Sequence, residues 1–397
     1  MQNITPPKYV RQVLITLQSH GHLAYLVGGC VRDIILGVHP QDWDICTSAL
    51  PQQVLEIFPK CITTGLKHGT VTVCVNSRHV EVTTFRADGG YTDHRHPEAV
   101  RFVSDLNADL SRRDFTMNAI ALPPDGLIAD PFGGVEDIKA RLIRCVGAPE
   151  VRFEEDALRM FRALRFSARL GFEIEPATMA AICTKAELAS SLSPERVREE
   201  IEKILLTHAP ESIANVIDLG LLDAFLLRRP ADCALFSRLD KLPRKALARW
   251  CGLCTILLRC DCISSAEAFL TALRLDGRTI RCCTQAEIML QGDKPASRAQ
   301  WKRFLSKYGV DSVTCAAQCH DLLRGTGICY KELKAVLKSG ECFSMKHLAV
   351  TGDDLLDLGL KGREIGEMLR FLLDYVIEYP DNNRRELLLS LARRTEE

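Results

Sequence analysis

The apolar pattern of this chain changes period once, near Gly147, and that change limits the fold more than any other feature. Before it, AYLVGG, WDIC, TVTVCV and HVEVTTF are short, β-branched, partly alternating runs separated by turns, the pattern of strands. After it, EDALRMFRALRFSARL, SPERVREEIEKILL, AEAFLTALRL and REIGEMLRFLLDYVIEY carry apolar residues at helical spacing. Ser193-Pro194-Glu195 reads as a helix start, with a capping hydroxyl and a proline in the first turn. The expectation is an α/β head followed by a long all-α region. With 397 residues the chain exceeds one ordinary core, so several sub-domains are expected.

Some classes fall away at once. No apolar run approaches the roughly 18 residues of a membrane span, and the first thirty residues lack the blocks of a signal peptide. A cytoplasmic location is the default expectation. The 17 cysteines are scattered, as reduced and mostly buried thiols would be. Their densest group, Cys251, Cys254, Cys260 and Cys262, reads either as a zinc site or as core packing; it lies in an apolar helical segment without the turn residues of a zinc knuckle. Net charge is zero, so no global field recruits nucleic acid, but Ser237 to Tyr308 holds 14 Lys/Arg against 6 Asp/Glu. Such a surplus is a solvated face or the footprint of a polyanion.

The stretch LVGGCVRDIILGVHPQDWDI, Leu26 to Ile45, carries the chemistry. In a strand Asp42 and Asp44 project to one side and Trp43 and Ile45 to the other. Two carboxylates held this close repel unless a cation lies between them, and a few hard oxygen donors suit Mg²⁺. The plain alternative is an acidic strand end facing solvent. Gly28-Gly29, after a strand and before a helix, leave backbone N–H groups for phosphate oxygens; Arg32, one turn on, could pair with the same phosphates. Those glycines also fit an ordinary tight turn. Glu81 in HVEVTTF offers a third carboxylate or a solvent-facing strand residue. Together these groups describe a phosphoryl- or nucleotidyl-transfer site. G-x-G-x-x-G is absent, so the turn is no dinucleotide fingerprint.

Further motifs follow in order: R-R-D-F-T-M-N-A from Arg112 to Ala119, D-P-F-G-G from Asp130 to Gly134, and E-D-A-L-R from Glu155 to Arg159. With G-G-x-V-R-D and D-W-D they resemble the class II tRNA nucleotidyltransferases, the bacterial CCA-adding enzymes and their poly(A) polymerase relatives. The resemblance spans roughly residues 20 to 205 and returns in the tail, Val350 to Val376. It implies a nucleotidyltransferase head, a small mixed sheet with helices, over 1–147. A helical neck with the base-selecting helix would follow over 148–207, a body over 208–300 and a tRNA-binding tail over 301–397. It also implies that Asp42 and Asp44 coordinate Mg²⁺, that Glu81 completes the acidic group, and that Gly29, Arg32 and Arg113 hold phosphates. Asp114 is left open between a structural and a functional role.

The stretch EEDALRMFRALRF reads as one helix with Arg159, Arg162 and Arg165 on one face and Asp156 three residues before Arg159. Taken alone this is a solvated face. By the resemblance, Asp156 and Arg159 form a protein template, with Arg162 and Arg165 supporting phosphate or sugar. Cytosine and adenine both present an amino donor beside an unprotonated ring nitrogen, which a carboxylate and a guanidinium match. Uracil and guanine reverse that order, and buried mispaired groups cost about 1–3 kcal/mol each, so CTP and ATP are accepted and UTP and GTP refused.

Family members add C and A, only C, only A, or a poly(A) tail. The loop FRADGGYTDHRHPEAVRF, Phe85 to Phe102, looks complete, with Asp93, Arg95 and His96 available for contacts, and argues against a CC-only enzyme. CCA addition to the acceptor stem and elbow of tRNA is the expectation, and an A-adding enzyme or poly(A) polymerase stays open beside it. A small-molecule nucleotidyltransferase is a more remote alternative, since the long helical region has no use there.

Overall fold

A computed structural model describes residues 5–88, 100–124 and 126–394. The chain divides into two compact units, one of residues 1–204 and 215–224, the other of 205–214 and 225–397.

The first unit begins with helix α1 (Lys8–Ser19), whose buried stripe is Val10, Val13, Leu14 and Leu17. This i, i+3, i+4, i+7 spacing is what an amphipathic helix against a sheet requires. Strand β1 (Ala24–Val27), helix α2 (Gly29–Ile35), strand β2 (Asp44–Thr47) and helix α3 (Pro51–Ile57) follow. Strands β3 (Cys61–Ile62), β4 (Thr70–Val75), β5 (Arg78–Thr84), β6 (Arg86–Asp88) and β7 (Val100–Phe102) come next. After helix α4 (Leu106–Ser111) comes strand β8 (Ala121–Leu122). Six strands form one sheet in the order β3-β4-β5-β2-β1-β8, and β6 pairs with β7 separately. Only β2 and β5 run parallel; the other pairs of the sheet are antiparallel. This is the small mixed sheet expected of the head. The two shortest strands, β3 and β8, have two residues each, too few for an alternating pattern to be read.

Helix α5 (Gly134–Ala140) is capped by Asp130, which accepts from the Gly134 and Val135 N–H groups at 2.7 and 2.8 Å. A Cβ on Gly134 would stand 2.1 Å from the Thr116 carbonyl oxygen, so the D-P-F-G-G motif lets this helix lie directly on the 114–118 segment. Strand β9 (Leu142–Ile143), helices α6 (Pro149–Glu155) and α7 (Leu158–Leu170), strand β10 (Glu173–Ile174) and helices α8 (Pro176–Lys185) and α9 (Pro194–Leu205) complete this part. The single helix expected over EEDALRMFRALRF is in fact two. Asp156 has φ −148° and ψ 101°, extended backbone, and its carboxylate accepts from the Leu158 N–H at 3.1 Å. Asp competes in this way with the helical ladder and favours helix starts.

After α10 (Ile213–Asp218), the second unit is helical throughout: α11 (Ala246–Arg259), α12 (Ala266–Ala272), α13 (Gly277–Gln291), α14 (Arg298–Arg324), α15 (Ile328–Lys338), α16 (Gly352–Leu356), α17 (Arg363–Glu378) and α18 (Arg385–Arg394). Helix α14 breaks at Gly309, where φ is +79°. A separate core of Leu355, Leu372, Leu373, Val376, Leu388 and Ala392 joins α16 to α18. Cys251 and Cys254 are buried in α11, and the Cys319 thiol of α14 lies 3.5 Å from that of Cys251.

Part of the basic surplus of 237–308 is neutralised from outside that window. Arg278 pairs with Asp311, Lys294 with Glu332, Arg298 and Lys302 with Glu341, and Arg303 with Glu378. Lys302 is 1% exposed and its charge is structural, whereas the side chains of Arg278 and Arg298 stay 67% and 65% exposed. Among the described residues no helix is long and apolar enough to cross a membrane.

Candidate active site

Strand register builds the acidic group. Asp44 opens β2 and is the direct partner of Glu81 on the parallel strand β5. Asp42 lies in the bend just before β2 and is exposed, while Trp43 and Ile45 are buried. Asp42, Asp44 and Glu81 all line one cavity of about 450 Å³, together with Thr72, His79 and Tyr9. Burial pushes the Asp44 carboxyl up to about 6, with Glu81 and Asp42 adding to the rise and Arg113 opposing it. Like charges gathered in a partly desolvated cleft raise each other's affinity for any cation, proton or metal. Among the described residues no three His, Cys, Asp or Glu side chains converge into a ready-made metal cage. An open set of carboxylates suits an ion that keeps its waters and takes substrate phosphates as its remaining ligands.

The glycine turn sits against this group. Gly28 has φ +76°, a left-handed value that a side chain disfavours. A Cβ there would lie 3.3 Å from Nη1 of Arg113 and 3.9 Å from Oδ2 of Asp44. The turn therefore brings bare backbone between a guanidinium and the acidic group. Gly29, the first residue of α2, is half-buried and faces the Arg32 guanidinium.

Arg113 is anchored by Asp109, which is fully buried and also holds Arg112; the distances are 3.0 Å to Arg113 Nη2 and 2.8 Å to Arg112 Nη2. The two arginines hold the Asp109 carboxyl below the usual carboxylate range despite its burial. Asp109 was missed in the sequence, although it stands three and four residues before Arg112 and Arg113 on one helical turn, a spacing that pairs charges.

The arginines of α7 divide by environment. Arg162 donates from Nε to Asp114 Oδ2 at 2.8 Å. Asp114 also accepts from Asn118 Nδ2 and the Phe115 N–H, and its carboxyl is held down at about 2 chiefly by Arg162, against the effect of burial. Arg159 is 7% exposed, pairs with Glu155, and donates to the carbonyl oxygens of Arg152 and Arg112 at 3.0 and 2.9 Å. Asp156 is not paired with Arg159; its Oδ2 accepts from Arg196 Nη2 at 2.8 Å.

Arg32 and Arg165, which the sequence reading gave to phosphate or sugar, are both buried in ion pairs. Arg32 is 3% exposed, donates to Asp33 and Asn118, and lies 5.3 Å from the Phe166 ring centroid. Arg165 is paired with Glu200 and covers the same ring at 4.2 Å. Both brace α2 and α7 around Phe166; Asp33 is the next residue to Arg32, whereas Asn118 and Glu200 lie far along the chain from their arginines. Of the Phe85–Phe102 stretch, the residues singled out for contacts, Asp93, Arg95 and His96, lie outside the described residues.

An open acidic group, a glycine turn and an anchored arginine on a mixed sheet define a nucleotidyltransferase. Residues 24–144 match a family model described as the poly A polymerase head domain, and 171–230 match one described as "Probable RNA and SrmB- binding site of polymerase A". The chain is 39% identical to the CCA-adding enzyme of Geobacillus sp. (strain WCH70) over 94% of its own length and 93% of the relative's. It is 34% identical to that of Enterococcus faecalis (strain ATCC 700802 / V583), covering 98% and 96%. The crystal structure of the Bacillus stearothermophilus CCA-adding enzyme in complex with CTP superimposes with a TM-score of 0.81 at 32% identity, covering 98% of this chain and 97% of that one. The chain belongs to the class II tRNA nucleotidyltransferases, the family of the CCA-adding enzymes.

Proposed function

We propose that this chain adds C, C and A to the 3′ end of tRNA from CTP and ATP, without a nucleic-acid template and with release of pyrophosphate. The observation that carries this reading is the placement of Asp44 opposite Glu81, with Asp42 on the same cavity and the Gly28–Arg113 turn beside it. The relative solved with CTP, matched over nearly the whole chain, supports the choice of substrate.

Asp42 and Asp44 would hold Mg²⁺, with Glu81 beside them. The donor set is of hard oxygens; the Asp44 carboxyl is raised first by burial and then by the Glu81 and Asp42 charges, which a divalent cation would offset. When bound, the ion lowers the pKa of the attacking 3′-hydroxyl and balances charge on the triphosphate. Arg113 stays cationic and, fixed by Asp109, faces the triphosphate across the bare Gly28 backbone. Gly29 contributes backbone N–H to the same phosphates. Arg32 and Arg165 act from behind, holding the turn and the helix.

Asp156 and Arg159 select the base. The carboxylate only accepts and the guanidinium only donates, which fits the pairing edges of cytosine and adenine and opposes those of uracil and guanine. The long helical region supplies the surface for the acceptor stem and elbow, read by shape through phosphates and 2′-hydroxyls.

The test is extension of tRNA lacking its last three nucleotides, with the four triphosphates offered singly and together. C, C and A in that order supports the reading. Use of ATP alone on tRNA ending in CC would replace it with an A-adding enzyme, and long A tracts on unrelated RNA with a poly(A) polymerase.

A further inference from the structure

Asp156 has a partner from outside its own motif. Arg196, near the start of α9, donates from Nη2 to Asp156 Oδ2 at 2.8 Å, while Asp156 Oδ1 accepts from the Leu158 N–H at 3.1 Å. Each carboxylate oxygen therefore has one fixed donor, and the side chain is held on both sides. Both partners are partly shielded, at 22% and 20% side-chain exposure. The second terminal nitrogen of Arg196, Nη1, is buried and makes no hydrogen bond. A buried guanidinium donor without an acceptor is costly, so the position of this arginine is set by the bond to Asp156 and not by a wider network around Nη1.

The backbone explains why such a brace is needed. Arg159 is inside α7 and tied to Glu155 and to the carbonyls of Arg152 and Arg112. Asp156 sits on extended backbone between two helices, where the helical ladder does not set its direction. Arg196 comes from a helix whose start is fixed by Ser193, whose carbonyl accepts from the Arg196 and Val197 N–H groups at 3.1 and 3.3 Å.

We infer that Arg196 is a positioning residue for nucleotide choice: it aims the Asp156 carboxylate so that an exocyclic amino group, and not a carbonyl, satisfies it. This rests on the base-selecting role proposed for Asp156 and Arg159. Arg196 touches neither the reacting atoms nor the acidic group around Asp44, so its loss changes which nucleotide is used before it changes the chemical step.

The experiment compares Arg196→Ala, Arg196→Lys and Asp156→Ala with the unaltered chain, measuring kcat and KM for CTP, ATP, UTP and GTP, tRNA affinity and the unfolding midpoint. Loss of one charge-assisted hydrogen bond corresponds to about tenfold or more in kcat/KM discrimination. Arg196→Ala is expected to lower the CTP/UTP and ATP/GTP ratios by that factor, chiefly through KM, with tRNA affinity unchanged. Arg196→Lys, which keeps a single donor, should recover part of it with a midpoint close to that of the unaltered chain. Discrimination lost in Asp156→Ala but intact in both Arg196 variants would overturn this inference and leave the base-selecting reading standing. Discrimination intact in all three would overturn both.

Discussion

Arg162 of α7 and Asp114 of the R-R-D-F-T segment form an ion pair across 48 residues of sequence, with Nε 2.8 Å from Oδ2. Asp114 is buried and Arg162 is about one-third exposed on its side chain, so the pair fastens α7 to the segment that carries Arg113.

Its pH dependence has a defined sign. The Asp114 carboxyl is lowered from an ordinary 3.8 to about 2 in the folded chain. Its stabilisation is therefore complete above about pH 4 and is lost as pH falls from about 4 toward 2, a contribution on the order of 2 kcal/mol. Urea midpoints measured from pH 6 down to pH 3 should fall in the unaltered chain. In Asp114→Asn they should start lower and lack this component.

Asp44 behaves in the opposite sense. Its carboxyl is raised from 3.8 to about 6, so ionising it opposes folding; the penalty is absent below about pH 4 and complete above about pH 6. Asp44→Asn should stabilise the metal-free protein by about 1–2 kcal/mol near pH 8 and by little near pH 4. Equal midpoints for the two proteins at pH 8 would contradict the cost of ionising this carboxyl where burial and the neighbouring carboxylates both oppose it.

Catalysis should report the same residue differently. Asp42→Ala and Asp44→Ala are expected to reduce nucleotide addition by several orders of magnitude while tRNA affinity in a filter-binding assay changes little. Activity equal to the unaltered chain in both variants would remove the metal assignment.

Arg159→Ala should erode refusal of UTP and GTP more than it weakens tRNA binding. Because Arg159 also donates to the Arg112 and Arg152 carbonyls, the variant should unfold earlier as well, by roughly 1–3 kcal/mol for the buried groups left behind. Single-nucleotide incorporation at matched concentrations reads the first effect and denaturant titration the second. Unchanged nucleotide choice would refute the template role.

Much of the head could be read from the sequence, since β1, β2, β4 and β5 coincide with the four β-branched runs. The helices α9 and α17 likewise follow their apolar spacing. What escaped is tertiary. The break at Asp156 hides in a stretch whose residues all tolerate a helix, and the only clue is that Asp favours helix starts. Glu200 beneath Arg165, Asn118 beside Arg32 and Arg196 against Asp156 lie 35, 86 and 40 residues from their partners. A one-dimensional period cannot register such pairs. The acids that pair with Arg278, Lys294, Arg298, Lys302 and Arg303 come later in the chain and were hidden for the same reason.

Strands β2 and β5 each have neighbours on both sides, so the gap between the Asp44 and Glu81 main chains is the interstrand distance of about 4.8 Å. That spacing acts as a fixed ruler, indifferent to which side chains stand on it. Keeping the charge is then insufficient: lengthening Asp44 to glutamate would advance one carboxylate by a methylene while its counterpart stays put.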